Sequence, residues 1–276
     1  MTGYLKKEYY QTYADYILKF FNAYKTNWIV NNLAPILSKA GYKDLVYIAM
    51  DDHRFMLPFH PAAMFENEEA KKLFSGIAVH WYVDRLFPAS LLTKTHDMFP
   101  DKFLLMSEAC TGTSATNLFE PAVILGSWNR GEQYINDIIE NLNHWVCGWI
   151  DWNIALDGRG GPSWFKNYMD LPIIVNSKKD EFYKQPMFYA ISHFSKFVPR
   201  GSYVISSIEE NCLSKKIHSI AFSTPEQKVI VVIANTYVTT IVTILQSRSR
   251  TIKELEVIVS VLGIVKFNNI LKYDTQ

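Results

Sequence analysis

Apolar positions at the start of the chain recur with a helical period. Tyr9, Tyr13, Ile17, Phe20 and Tyr24 fall three or four residues apart, with Lys6, Lys7, Asp15 and Lys19 between them. That spacing predicts an amphipathic helix over about 4–24. The segment NWIVNNLAPILSKAG predicts a second helix, with Asn27 as its cap, Gly41 as its stop and a kink at Pro35. The rhythm then changes. Four short apolar runs, DLVYIAM, GIAVHWY, FLLMSEA and WVCGWIDWN, alternate with polar stretches of helical character such as NEEAKKLFSG and SWNRGEQYINDIIENLNHW. Runs this apolar suit strands buried on both faces, and strand–helix alternation argues for a parallel sheet or a β/α barrel. In the longer helical stretch Tyr134, Ile138, Leu142 and Trp145 make one stripe.

The pattern changes again after about residue 165. FYKQPMFYAISHFSKFVPRGS reads as one helix closed by Pro199 and Gly201, and HSIAFSTPEQKVIVVIANT as a hairpin turning on Thr-Pro-Glu-Gln. TTIVTILQ adds a strand, and the tail beyond Ser247 fits strand and helix equally. The expected fold is α/β: an incomplete (β/α)8 TIM-type barrel over 1–199, holding about the last four strands, followed by a β-rich domain over 200–276.

Composition narrows the function classes. The chain has 276 residues, is 49% hydrophobic, and carries 28 basic against 27 acidic residues. No basic stripe interleaved with aromatics occurs, so nucleic acid is not expected as a partner. Three cysteines without a CxxC pair read as buried thiols, and histidines without HxH or HExxH spacing give no metal site; no cofactor is expected. The N-terminal stretch lacks the apolar core of an export signal, and the longest apolar runs fall short of the roughly 20 residues of a membrane span. DGRGGP at 157–162 lacks the lysine of a phosphate-binding loop and reads as a turn.

The ends of the four runs carry the candidate chemistry. They finish on Asp51-Asp52, on His80-Trp81-Tyr82, on Glu108, and on Asp151-Trp152-Asn153. In β/α barrels the active site is built where strands end. Trp81, Tyr82, Trp152, Asn153 and Trp164 offer ring faces and hydrogen bonds to a sugar, although seven Trp and sixteen Tyr must mostly fill space. Glu108 either pairs with a basic residue or attacks an anomeric carbon. The latter needs a second carboxyl about 5–5.5 Å away. Asp51 and Asp52 are neighbours on a strand, so alternation allows only one of them to face the mouth.

These residues sit in strings that resemble the acid β-glucosidase (glucosylceramidase) group of glycoside hydrolase family 30. They are GIAVHWYVD, LLMSEACTG, LGSWNRGEQY, GWIDWNIAL, GGPSWFKN, PIIV and DEFYKQPMFYAISHFSKFVPRGS, within a resemblance running from about Tyr4 to Ser202. The resemblance implies that Glu108 is the catalytic nucleophile and that Trp152 and Asn167 bind glucose. It places His80 and Tyr82 in the lining of the pocket around the nucleophile. It further implies retaining hydrolysis of glucosylceramide, no cofactor, a lysosomal setting, a saposin-type activator and an anionic membrane surface.

One feature departs from the family. A strand ending in Asn-Glu-Pro, which bears the acid/base, belongs between the helices at 4–24 and 27–40, where only about three residues intervene. The nearest string, ENEEA at 66–70, lies in a helical stretch. The chain therefore reads as a C-terminal fragment with an internal deletion, inactive alone, and with open strand edges that favour aggregation. Two alternatives stand beside it: a glucosyl-lipid-binding pseudoenzyme or decoy, and another family 30 β-glycosidase.

Overall fold

The computed structural model describes residues 26–113, 120–206 and 217–236, and the backbone of strands at 241–246, 254–260 and 265–271. The helix expected over 4–24 lies outside them. The chain divides between Ser107 and Glu108 into two compact units.

The first unit begins with one continuous helix, α1, formed by Thr26–Trp28, Ile29–Leu33 and Ala34–Lys39. The expected kink at Pro35 takes the form of a π-turn: the Ala34 N–H donates to the Ile29 carbonyl, five residues back. Proline has no N–H to continue the regular ladder, so the turn ahead of it widens. Asn27 is not a cap. It lies inside the helix, and its side-chain oxygen accepts from Asn67 Nδ2 at 2.7 Å. Gly41 does follow the helix end, at φ +96°, where a side chain would be strained.

Next come β1 (Tyr47–His53), α2 (Phe59–Met64), α3 (Glu68–Leu73), β2 (Phe74–His80), α4 (Ser90–Met98) and β3 (Phe103–Glu108). The strands lie in the order β1-β2-β3, with β1 and β2 parallel. β2 is the most buried of them, with Ile77, Ala78 and Val79 enclosed. At Gly76 an added Cβ would stand 2.3 Å from the Phe103 ring, so glycine lets that ring cross the strand. Asn67 caps α3, its side chain accepting from the Glu69 and Ala70 N–H groups. The ENEEA string is thus the start of a helix.

The second unit holds α5 (Trp128–Asn143), β4 (Val146–Trp149), β5 (Leu156–Asp157), β6 (Ile173–Asn176), β7 (Glu181–Lys184) and α6 (Pro186–Ser195). Tyr134, Ile135, Ile138 and Ile139 are the buried stripe of α5. Burying apolar side chains of this size stabilises the fold by about 1.5–3 kcal/mol each. Leu142 continues the stripe half-buried, but Trp145 does not: α5 ends at Asn143, and Trp145 turns outward at φ +73°. Gly131 lets α5 approach α6, since a Cβ there would sit 2.8 Å from Pro186 Cβ.

The helix expected over FYKQPMFYAISHFSKF is only partly one. Glu181–Lys184 is β7, antiparallel to β6, and helix begins at Pro186, where the missing N–H costs nothing. The expected hairpin is present as β9 (Ile217–Ser223) and β10 (Lys228–Asn235), turning through Gln227 at φ +62°. With β8 (Tyr203–Ile205) and β12 (Glu254–Ser260) they order as β12-β10-β9-β8. Val229, Val231 and Ile233 alternate onto one face against Ala221, Ile205 and Ile217. β11 (Ile241–Gln246) pairs in parallel with β13 (Val265–Leu271), so the ambiguous tail contributes strands.

Candidate active site

The strand ends of the first unit carry a polar cluster. β1 does not alternate to its end: Met50 and Asp51 both have left-handed backbones, at φ +71° and +58°. Met50 pairs with Ala78 and Asp52 with Val79, leaving Asp51 as the extra residue of a β-bulge. As expected, only one of the two neighbouring carboxylates joins the cluster, but a bulge rather than pleat alternation selects it, because a bulge re-aims the side chain it displaces. Asp51 Oδ1 accepts from Ser107 Oγ at 2.6 Å and lies 3.1 Å from His80 Nε2. Three strands thus meet at one carboxylate oxygen. Asp52 turns elsewhere, accepting the His53 N–H at 2.6 Å.

Rings surround this cluster. His53, His80 and Tyr82 form a triangle with centroid separations of 5.7 to 6.2 Å. Trp81 and Tyr82 are buried, and the loop after them is anchored by the enclosed Arg54–Asp84 ion pair at 2.7 Å.

In the second unit Glu108, the last residue of β3, is half-buried. The Ala109 carbonyl accepts the Trp152 N–H at 2.7 Å, and the Thr111 carbonyl accepts the Asp170 N–H at 2.9 Å. Trp152 is thereby held within one residue of Glu108 along the backbone ladder, with 38% of its surface exposed. Asn153, at φ +75°, is exposed beside it. Asn167 is exposed on the following loop, its N–H donating to Ser163 Oγ, and Trp164 is 96% exposed. DGRGGP is a turn as expected: Asp157 Oδ1 accepts from the Arg159 and Gly161 N–H groups.

Behind these residues lie pairings that the sequence pattern did not predict. Tyr134, fully buried, donates its hydroxyl to Asp151 Oδ1 at 3.1 Å. Burial pushes the Asp151 carboxyl up to about 8, partly opposed by the Tyr134 and Trp152 hydrogen bonds. Burial, and then the Asp151 charge, likewise raise Tyr134. Asp170, fully buried, receives Arg130 Nη1 at 2.5 Å, Gln185 Nε2 at 2.8 Å, and the Ile124 and Leu171 N–H groups. Arg130 and Asp170 lie in distant segments, and no periodicity links them. The only available signal was a charged residue on the buried face of α5. Among the described residues, no three His, Cys, Asp or Glu side chains gather to hold a metal, and no helix is long and apolar enough to cross a membrane.

Residues 25–198 match the glycosyl hydrolase family 30 TIM-barrel domain. The chain is 42% identical over 219 residues to lysosomal acid glucosylceramidase of Mus musculus, covering 79% of this chain and 41% of that protein. It is 39% identical over 233 residues to putative glucosylceramidase 4 of Caenorhabditis elegans, covering 71% of this chain and 44% of that protein. Among solved structures it superposes on SrfJ from Salmonella typhimurium with a TM-score of 0.66 at 24% identity, over 86% of this chain and 57% of that one. The chain spans less than half the length of these two curated relatives.

Proposed function

The chain belongs to glycosyl hydrolase family 30, and on that footing we propose that it carries the nucleophile half of a retaining, glucosylceramidase-like β-glucosidase. The observation that carries this is Glu108 at the end of a barrel strand, with Trp152 tied to the residue after it. In the proposed chemistry a Glu108 oxygen attacks the anomeric carbon, the glycosidic bond breaks, and a glycosyl ester forms. His80, Trp81, Tyr82, Trp152, Asn153 and Asn167 hold the glucosyl group. The substrate is glucosylceramide or a related β-glucoside, which the names of the mouse and nematode relatives support. The name of the mouse relative supports a lysosomal setting; a saposin-type activator at an anionic membrane surface is proposed from the family resemblance of the sequence strings alone. We assign 1–199 to the catalytic half-barrel and 200–276 to the β-rich domain.

The proton donor is the missing part. Without it the leaving group is not protonated and water is not activated. Asn67 within ENEEA caps α3, so this string serves a helix terminus. That observation favours a second reading, in which the chain binds glucosyl lipids without turning them over.

The test is incubation with 2,4-dinitrophenyl 2-deoxy-2-fluoro-β-D-glucoside, whose leaving group departs without an acid. The expected result is one added fluoroglucosyl mass on the peptide containing Glu108, absent in Glu108→Gln. Adduct without turnover of glucosylceramide selects the binder. Turnover lost in Glu108→Gln selects the enzyme, and turnover of a different β-glycoside alone selects another family 30 specificity. No adduct on Glu108 refutes the assignment.

A further inference from the structure

We propose that Asp51 is a positioning residue, which the bulge in β1 aims across β2 and β3 to fix the His80 ring and the Ser107 hydroxyl one residue ahead of Glu108. This rests on the reading of Glu108 as nucleophile. The observations are independent of that reading.

The backbone comes first. Two consecutive residues with side chains, Met50 and Asp51, hold left-handed conformations. Such conformations are disfavoured for residues that carry a Cβ, and strain of this kind persists where the surroundings hold it in place. Here the register slips by one residue, Met50 facing Ala78 and Asp52 facing Val79. On a regular strand Asp51 would point opposite to Asp52 and its partners would be set by the pleat. The bulge releases it from that constraint.

Next are the bonds that the displaced side chain makes. A carboxylate accepts and does not donate, so the proton in the 3.1 Å contact belongs to His80 Nε2. The contact therefore fixes the tautomer of the neutral ring. It also fixes the ring plane, which stands edge-on to Tyr82 at an interplanar angle of 82°. The same oxygen takes the Ser107 hydroxyl at 2.6 Å. Ser107 precedes Glu108 in β3, so a hold on Ser107 restricts the backbone that carries the nucleophile. Asp51 is 64% exposed and His80 only 15%. A hydrogen bond to a carboxylate this exposed contributes little to stability, because water competes for the same oxygen. The strained backbone is therefore not offset by this contact in stability alone, and its effect is on geometry.

The experiment uses the full chain and its Asp51→Ala and Ser107→Ala variants, reacted with 2,4-dinitrophenyl 2-deoxy-2-fluoro-β-D-glucoside. Maximal labelling rate and half-saturating concentration are read separately, per folded molecule. Misplacement of a reacting group costs about 10- to 100-fold in rate. Asp51→Ala is expected to lower the maximal rate by that amount, with half-saturation unchanged within about twofold, and Ser107→Ala to lower it less. A wild-type maximal rate in Asp51→Ala overturns the proposal, and so does a loss confined to the fraction of folded protein. A second measurement stands apart from labelling: ring nitrogen spectra of His80. The expected result is a proton on Nε2 in the wild type that is lost or redistributed in Asp51→Ala, which has no acceptor at that position. An unchanged tautomer overturns the proposal. If the wild type takes no label on Glu108, the nucleophile reading fails, and the ring spectra alone decide whether Asp51 holds His80.

Discussion

Asp170 and Asp51 both draw distant segments together, and they do it in opposite ways. Asp170 is fully buried, and both of its oxygens are used twice: Oδ1 by Leu171 N–H and Gln185 Nε2, Oδ2 by Ile124 N–H and Arg130 Nη1. A carboxylate has about four such acceptor positions. The site is complete, and nothing is left for a ligand. Asp51 is exposed, sits on a strained backbone, and places both of its bonds on one oxygen. A saturated carboxylate in the interior marks scaffold. An open one held against its backbone preference marks a place where geometry is kept for chemistry. Asp151 falls between the two: half-buried, it has one oxygen bonded to Tyr134 and a buried second oxygen with no hydrogen-bond partner among the described residues.

The sharpest way to break this contrast is to empty the saturated site. Arg130→Ala leaves Asp170 charged and buried, at an expected cost of about 3–5 kcal/mol. Urea unfolding of the full chain measures it, and a loss below about 1 kcal/mol would mean that the hub is not scaffold. The intermediate case gives the next effect. Folded Asp151 keeps its proton to about pH 8, whereas the unfolded chain releases it near the ordinary 3.8. The stability that comes from the protonated form is fully present below about pH 4 and is lost as pH rises to about 8. The limiting slope is about 1.4 kcal/mol per pH unit. Asp151→Asn is expected to flatten that part of the stability–pH curve. An unchanged slope would show that Asp151 ionises freely.

Asp51→Gly relieves the left-handed backbone while removing the exposed pair. Its expected effect on stability is within about 1 kcal/mol, and a gain is allowed. If it destabilises as strongly as Arg130→Ala, Asp51 is scaffold after all. Smallest of all is Trp164→Ser. The ring is 96% exposed, so the melting midpoint should move by the equivalent of about 0.5 kcal/mol or less. In a chain that binds glucosyl groups, the same change is a test for ligand affinity.

The four strands and their polar ends were legible because buried runs and their terminators are local in sequence. The hairpin was equally legible, with Thr-Pro-Glu-Gln closing it as Thr224 exchanges backbone hydrogen bonds with Gln227 and Lys228. What escaped was whatever depends on partners far along the chain. β7 was hidden inside an apparent helix because its pairing with β6 outweighs the local pattern. The Asp170 hub needs Arg130 and Gln185, each from another segment. The aim of Asp51 escaped for a different reason. Pleat alternation is a rule about regular strands, and the bulge suspends it at the residue where the side chain matters.

The order of β12-β10-β9-β8 also sets a schedule. β9 and β10 are joined by a short turn, a pairing that forms in microseconds. β10 is buried along almost its whole length, yet its other edge waits for β12, a parallel partner that emerges only after β11. Loop closure over that span is slower than hairpin formation. While the chain is being synthesised, Val229 to Ala234 therefore pass through an interval as a paired strand with one bare, apolar side. The yield of native protein should then depend on how fast translation delivers residues 254–260. Slowing synthesis between β10 and β12 lengthens the exposure, and speeding it shortens it.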